Sequence, residues 1–298
     1  MKLWVTGASG QVGSALVELA GLQGHVVVAT TRNDLDITDQ KSVMDFIEKA
    51  MPDVIINAAA YTAVDNAERD KALAYLINAE VVKNLAKAAL TIDVPVLHIS
   101  TDYVFNGENK EAYSETDLVC PINVYGASKR QGEEYLEKSG VKYINLRTSW
   151  VFGLIGANFV KTMIRLSNTR DQLNVVYDQR GGPTFAGDIA EVLLIIAEKT
   201  SVPGFKEWGT YHYSGLPQTT WWGLANYSIE TAFCAGKLEE KPEILKVKAI
   251  DFPTLSVRPI NSSLNCTKIN TVFNVTQPNW QNGVKTLIAS LNGPAEYE

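Results

Sequence analysis

A chain of 298 residues, 46% of them hydrophobic, is long enough for one large or two moderate domains with a sizeable core. Its net charge of −6 is spread along the sequence without a basic block, which points away from nucleic acid and anionic membranes and towards small-molecule partners. No apolar run approaches the ~20 residues of a membrane span, and an apolar strand beginning at residue 2 leaves no room for a signal peptide, so the cytosol is the expected compartment.

The first predicted strand, Lys2 to Thr6, runs into Gly7-Ala-Ser-Gly10-Gln-Val-Gly13 and an apolar helix from Gln11. Strand, glycine turn and helix make a dinucleotide fingerprint: Gly7 for the tight turn, Gly10 for close approach of a pyrophosphate, and Gly13 for helix packing. A second strand, His25 to Thr30, ends in Thr31-Arg32, where an NAD site would carry an acid about 20 residues past the glycines. The hydroxyl and the guanidinium suit a 2′-phosphate and favour NADPH, while Asp34 nearby keeps NADH open.

The alternation continues through a helix over Gln40 to Ala50, a strand over Val54 to Asn57, a helix over Ala72 to Leu90 and a strand over Val94 to Ser100. A helix carrying Tyr125 and Lys129 and a strand over Lys142 to Arg147 complete it. This rhythm predicts an α/β fold, a doubly wound parallel-sheet Rossmann domain over residues 1–150. Ligands of such a sheet bind outside the carboxyl ends of its strands, where Asn57-Ala-Ala-Ala60 and Ser100-Thr101-Asp102 lie. After Trp150 the pieces shorten, with helices over Asn158 to Leu166 and Asp188 to Glu198. Residues 151–298 are expected to form a smaller mixed α/β substrate-binding lobe, some of whose helices pack back on the Rossmann sheet. The loop from Asp178 to Thr184 reads either as a ligand loop or as an ordinary surface turn.

Tyr125 and Lys129, four apart on one helix face, are a candidate acid pair. A phenol titrating near ~10 gives up its proton more readily beside a fixed cation. The spacing alone fits a packed ring beside a solvated ammonium equally well; the glycine fingerprint favours chemistry. Cys120, Cys234 and Cys266 have neither metal-ligand spacing nor the even number of a disulfide framework, and no catalytic metal site is read from the histidines.

Taken together, Gly7-x-x-Gly10-Gln-Val-Gly13, Pro52 to Glu68, Ser100-Thr-Asp-Tyr-Val-Phe105-x-Gly107, Pro121-x-Asn-Val-Tyr125-Gly-x-Ser-Lys129-x-x-Gly132-Glu133 and Arg147-Thr-Ser-Trp-Val151 carry a resemblance, as do Asn158-Phe159, Asp178 to Thr184 and Arg258-Pro-x-Asn-Ser262. The chain resembles the extended short-chain dehydrogenase/reductases over nearly its whole length, and within them the dTDP-4-dehydrorhamnose reductases. The resemblance implies NADPH-dependent reduction of the C4 keto group of a dTDP-sugar. It implies an acid-base trio of Thr101, Tyr125 and Lys129, cofactor contacts at Gly10, Gln11, Val12, Asp36, Ile37, Ala59, Ala60, Tyr61, Tyr125 and Lys129, the last on the nicotinamide ribose, and substrate contacts at Thr101, Asp102, Tyr125, Trp150 and Arg258.

Trp150 reads alternatively as core and Arg258 as the partner of an acid. The first helix has Ala15 where relatives with metal-mediated dimers carry a Glu, which leaves a monomer or a homodimer open. Competing activities are a dehydratase, which would follow Asp102 with Glu rather than Tyr103, and an epimerase, whose relatives lack the Ser100 to Phe105 pattern. A third is a binding role like that of the regulatory subunit of methionine adenosyltransferase, which resembles the same branch.

Overall fold

The computed structural model describes residues 1–291. Its first half runs β1 (Lys2–Thr6), α1 (Gln11–Leu22), β2 (Val26–Thr30), α2 (Gln40–Ala50), β3 (Val54–Asn57), α3 (Val64–Ala67) and α4 (Lys71–Tyr75). A π-helical turn, Leu76–Glu80, leads into α5 (Val81–Thr91), followed by β4 (Val96–Thr101), α6 (Val124–Ser139) and β5 (Tyr143–Thr148). The second half runs β6 (Val151–Phe152), α7 (Phe159–Ser167), β7 (Gln172–Val176), β8 (Arg180–Gly181), β9 (Thr184–Phe185) and α8 (Ala186–Thr200). It closes with β10 (Gly209–His212), β11 (Thr219–Thr220), α9 (Trp221–Cys234), β12 (Glu243–Val247), α10 (Thr267–Phe273) and α11 (Trp280–Ser290).

A six-stranded sheet, ordered β2-β1-β3-β4-β5-β10, forms the centre, and every pairing in it is parallel. Leu3, Trp4, Val5, Val54, Ile55 and Ile56 are fully buried, as continuous apolar strands covered on both faces should be. The strand order reverses between β1 and β3, which opens a crevice at their carboxyl ends. There Gly7 adopts φ +67°, and a Cβ on it would lie 2.6 Å from the Ala59 amide nitrogen. A Cβ on Gly13 would lie 2.1 Å from the Gly7 carbonyl oxygen, so α1 leaves the turn in close contact with it.

Two features depart from the sequence reading. The stretch read as one helix over Ala72 to Leu90 contains the π turn, which presents the Asn78 carbonyl to α6; a Cβ on Gly132 would lie 2.2 Å from that oxygen. The sheet also gains β10, from beyond residue 150, beside β5. On one face of the sheet α8 packs on α1, with Ile189, Leu193 and Ile196 in one cluster with Leu16, Leu3 and Leu97. A cut at residue 150 therefore separates the sheet from one of its strands and one of its covering helices. α10 joins the same cluster through Ile269 and Phe273, whereas α7, β7, α9 and α11 surround a second one that includes Phe152, Val160, Leu173, Leu224, Trp280 and Val284. No helix among the described residues is long and apolar enough to cross a membrane.

Candidate active site

The crevice at the switch point is a cleft of about 450 Å³ lined by Gly7, Gly10, Thr31, Arg32, Asp36, Ile37, Ala59, Ala60 and Tyr61. Gln11, Val12 and Gly13 form the first turn of α1, whose amides have no carbonyl to bond within the helix. Gly10 caps the helix without a side chain, and no acid sits in its first turn. Such an end presents donors and a positive dipole to an anion, which fits the diphosphate of a dinucleotide.

The acids beside this cleft are already engaged. Asp34 accepts from the Thr31 hydroxyl at 2.7 Å and the Thr31 amide at 2.9 Å, bonds that hold its carboxyl below the usual range. Asp36 does the same with the Thr38 hydroxyl and amide. Arg32 is exposed at the rim. Tyr61 is held by a residue the sequence reading did not single out: Asn78 of the π turn accepts from the Tyr61 amide at 2.8 Å and donates to its carbonyl at 3.1 Å. Its amide nitrogen also donates to Ser128 of α6 at 2.9 Å, so one buried side chain ties the cleft wall to the helix bearing Tyr125 and Lys129.

A second cleft of about 750 Å³ is lined from the first half by Val64, Asp65 and Tyr103, and from the second by residues that include Phe159, Gln179, Trp221 and Arg258. Arg258 makes a two-point ion pair with Asp65, Nη2 to Oδ2 at 2.6 Å and Nη1 to Oδ1 at 3.3 Å. The guanidinium is thus both a cleft wall and the partner of an acid. Trp150, at φ +46°, packs against Gly181 and stacks on Trp221, with ring centroids 3.6 Å apart and planes within 6°. Of the two rings it is Trp221 that lines the cleft. The sequence reading passed over Trp221; the local signal that could have placed it at a helix start is Thr220, whose hydroxyl accepts from the Gly223 amide at 3.1 Å and caps α9.

Thr101, Tyr125 and Lys129 lie at the carboxyl end of β4 and the start of α6. Thr101 ends β4, accepts from the Tyr103 amide at 3.1 Å and donates to Asp102 Oδ1 at 3.1 Å. Asn123 caps α6 through the Gly126 amide at 2.7 Å, which sets Tyr125 in the first turn with its ring edge-on to Tyr103. Burial pushes the Tyr125 phenol up to about 12, and hydrogen bonding from Thr101 opposes this only partly. Lys129 is not among the groups that shift this phenol. Lys129 is itself 1% exposed, donates to the Ile99 carbonyl at 2.6 Å and lies 3.1 Å from His98 Nε2; burial brings it down to about 7 against the pull of Glu133.

Asp102 is buried with Oδ2 lacking a hydrogen-bond partner among the described residues. Burial raises its carboxyl to about 7, with bonding from Ser262 and Thr101 opposing. Behind the trio Glu133 and Arg147 form a buried ion pair that the sequence reading recorded only as motif letters. No group of acids, histidines and cysteines suited to holding a metal ion occurs among the described residues.

The family model of the RmlD substrate binding domain matches residues 1–292. A dTDP-4-dehydrorhamnose reductase from Aggregatibacter actinomycetemcomitans is 45% identical over 289 residues, covering 97% of this chain and 98% of the relative. The chain belongs to this reductase family. One from Escherichia coli K12 is 37% identical over 298 residues, 98% of each chain. Among solved structures, the family's member from Bacillus anthracis in complex with NADP superposes with a TM-score of 0.89 at 34% identity, over 97% of this chain and 99% of that one. The member from Clostridium acetobutylicum does so with a TM-score of 0.89 at 36% identity and the same coverage. A Thermus thermophilus UDP-glucose 4-epimerase, at 21% identity and a TM-score of 0.80, shares the fold. The doubly wound parallel-sheet Rossmann architecture expected from the sequence is thus the one found.

Proposed function

We propose that this protein reduces the C4 keto group of dTDP-4-dehydro-6-deoxy-L-mannose to give dTDP-L-rhamnose, with NADPH as the reductant and NADH as a weaker substitute. What supports the reading is that Thr101 ends β4 and Tyr125 and Lys129 lie in the first turns of α6, in a chain with two clefts, one lined by the glycine turn and one large enough for a nucleotide sugar. NADPH, when bound, supplies the hydride. The chain supplies the rest. Thr101 donates to the substrate carbonyl, Tyr125 delivers the proton to the oxygen as negative charge develops there, and Lys129 steadies the developing phenolate. Asp102, with one carboxylate oxygen unpaired, accepts from a sugar hydroxyl.

Trp221, backed by Trp150, supplies an apolar wall, and Arg258 takes the diphosphate as its bonds to Asp65 are exchanged for bonds to phosphate. The reading is that of a cytosolic enzyme acting as a monomer or a homodimer. The reading is tested by incubating the protein with dTDP-6-deoxy-L-lyxo-4-hexulose and NADPH. Substrate-dependent loss of nicotinamide absorbance supports it. An inert mixture, with the protein instead co-purifying with a synthetase, sinks it in favour of a binding role.

Two substitutions probe the binding residues. Arg32→Ala should weaken NADPH more than NADH by roughly 1.5–3 kcal/mol, because only the former offers a 2′-phosphate to the guanidinium. Equal changes in the two dissociation constants, measured by titration, would make Arg32 a plain surface charge. Arg258→Ala should raise KM for the dTDP-sugar at least ~10-fold with NADPH affinity unchanged. An unaltered KM in the folded variant would leave Arg258 with its Asp65 pairing alone.

A further inference from the structure

A chain of buried side chains runs from the dinucleotide cleft to Lys129. Asn57, the last residue of β3, accepts at Oδ1 from the Ala59 amide at 3.1 Å and from the Thr6 hydroxyl at 2.7 Å. A backbone amide can only donate, so the carboxamide is turned with its oxygen to Ala59 and its nitrogen to β4. That nitrogen lies 3.0 Å from His98 Nδ1, and His98 Nε2 lies 3.1 Å from Lys129 Nζ. An NH₂ facing Nδ1 requires Nδ1 to be the bare, accepting nitrogen, so the ring of a neutral His98 carries its proton on Nε2. An ammonium has three donors and no acceptor, whereas a free amine offers one lone pair.

We propose that His98 is a positioning residue for Lys129: fixed by Asn57 as the Nε2–H tautomer, it donates to Nζ and keeps Lys129 a free amine in the protein without cofactor. One amine hydrogen is then committed to the Ile99 carbonyl, and the second is left for the active site. The charges around Nζ are consistent with this. His98 is fully buried, and burial takes it well below the usual imidazole range, so it does not become a cation. Of the acids nearby, Glu133 on α6 is paired with Arg147 from β5, and Asp102 after β4 bonds to Thr101. Tyr125, one turn before Lys129, is neutral at its raised value. Ala59 belongs to the cleft wall, so the same hydrogen-bonded chain joins the cofactor loop to the lysine. The link to catalysis rests on the role proposed above for Lys129.

The test uses the whole chain, labelled with ¹⁵N-histidine and ¹³C-lysine. With only three histidines, long-range ¹H–¹⁵N spectra give the tautomer of each ring, assigned through His25→Gln and His212→Gln, which leave His98 in place. His98 should show a bare Nδ1 and a protonated Nε2 that do not titrate between about pH 6 and 9, while the Lys129 Cε signal titrates near neutrality. Asn57→Asp replaces the donor with a carboxylate, so the ring should reverse to Nδ1–H and the Lys129 titration should move up by at least about one unit.

An Nδ1–H ring in the wild-type protein overturns the proposal, as does a reversed ring in Asn57→Asp with the Lys129 titration unmoved. The pH profile of kcat/KM separates this proposal from the function itself. If both signals behave as stated and the profile ignores the shift, the ring arrangement stands and Lys129 drops out of the reaction.

Discussion

Tyr125→Phe is expected to lower kcat by at least ~100-fold, the usual loss for a positioned general acid. The substitution removes one oxygen and keeps the ring, so its edge contact with Tyr103 and the Asn123 cap of α6 should persist. Dissociation of NADPH should change far less than kcat, since the cleft lined by Gly7, Thr31 and Ala59 is untouched. The loss should be largest in single-turnover rates, where product release cannot mask the chemical step. A Phe variant that reduces the sugar at the wild-type single-turnover rate would remove Tyr125 from the mechanism.

Glu133→Gln is expected to destabilise the fold by about 3–5 kcal/mol, the cost of leaving a buried charge without its partner. Arg147 reaches Glu133 through Nε at 2.8 Å and Nη2 at 2.7 Å, and Ser100 adds a bond at 2.6 Å. Neither side chain of the pair is more than 3% exposed, so water cannot replace the lost contact. Burial alone would raise the Glu133 carboxyl; hydrogen bonds and charge from Arg147, with Ser100, reverse that and hold it at about 2 against an ordinary 4.5. A carboxyl depressed in the folded state stabilises above its unfolded value and loses that contribution as the pH falls through its folded value. The gap in denaturant midpoint between wild type and variant should therefore be full at neutral pH and close as the pH drops from about 4.5 to about 2. A gap that stays constant across that range would contradict the account.

What the sequence made legible was the part governed by local rules. The fingerprint from Gly7 to Gly13 needs a left-handed turn and a close helix approach, and glycine meets both needs in a way that can be read from spacing. Asn158 caps α7 where the pattern placed a helix start. The parts that stayed hidden depend on contacts between distant segments. The short strand Gly209–His212 joins the sheet only because β5 offers it an edge, and its four residues carry no periodicity of their own. The π turn interrupts a stretch whose apolar spacing is continuous, and it is fitted to Gly132, more than 50 residues on. His98 reads as one polar letter inside an apolar strand, and its neighbours Asn57 and Lys129 are 41 and 31 residues away. Trp221 was not singled out although it stacks on Trp150, which was, and it is Trp221 that lines the cleft.

In the proposed reaction hydride goes to C4 of the sugar while the proton comes from Tyr125. Its most direct measurement is one turnover of dTDP-6-deoxy-L-lyxo-4-hexulose with NADPH carrying deuterium at the transferring position of nicotinamide C4, followed by NMR of the nucleotide sugar. The account predicts one deuterium at C4 of a rhamno-configured product, formed by the wild-type chain and reduced at least ~100-fold in rate by Tyr125→Phe. Deuterium at any other carbon, a product epimeric at C4, or a sugar returned without label would contradict it.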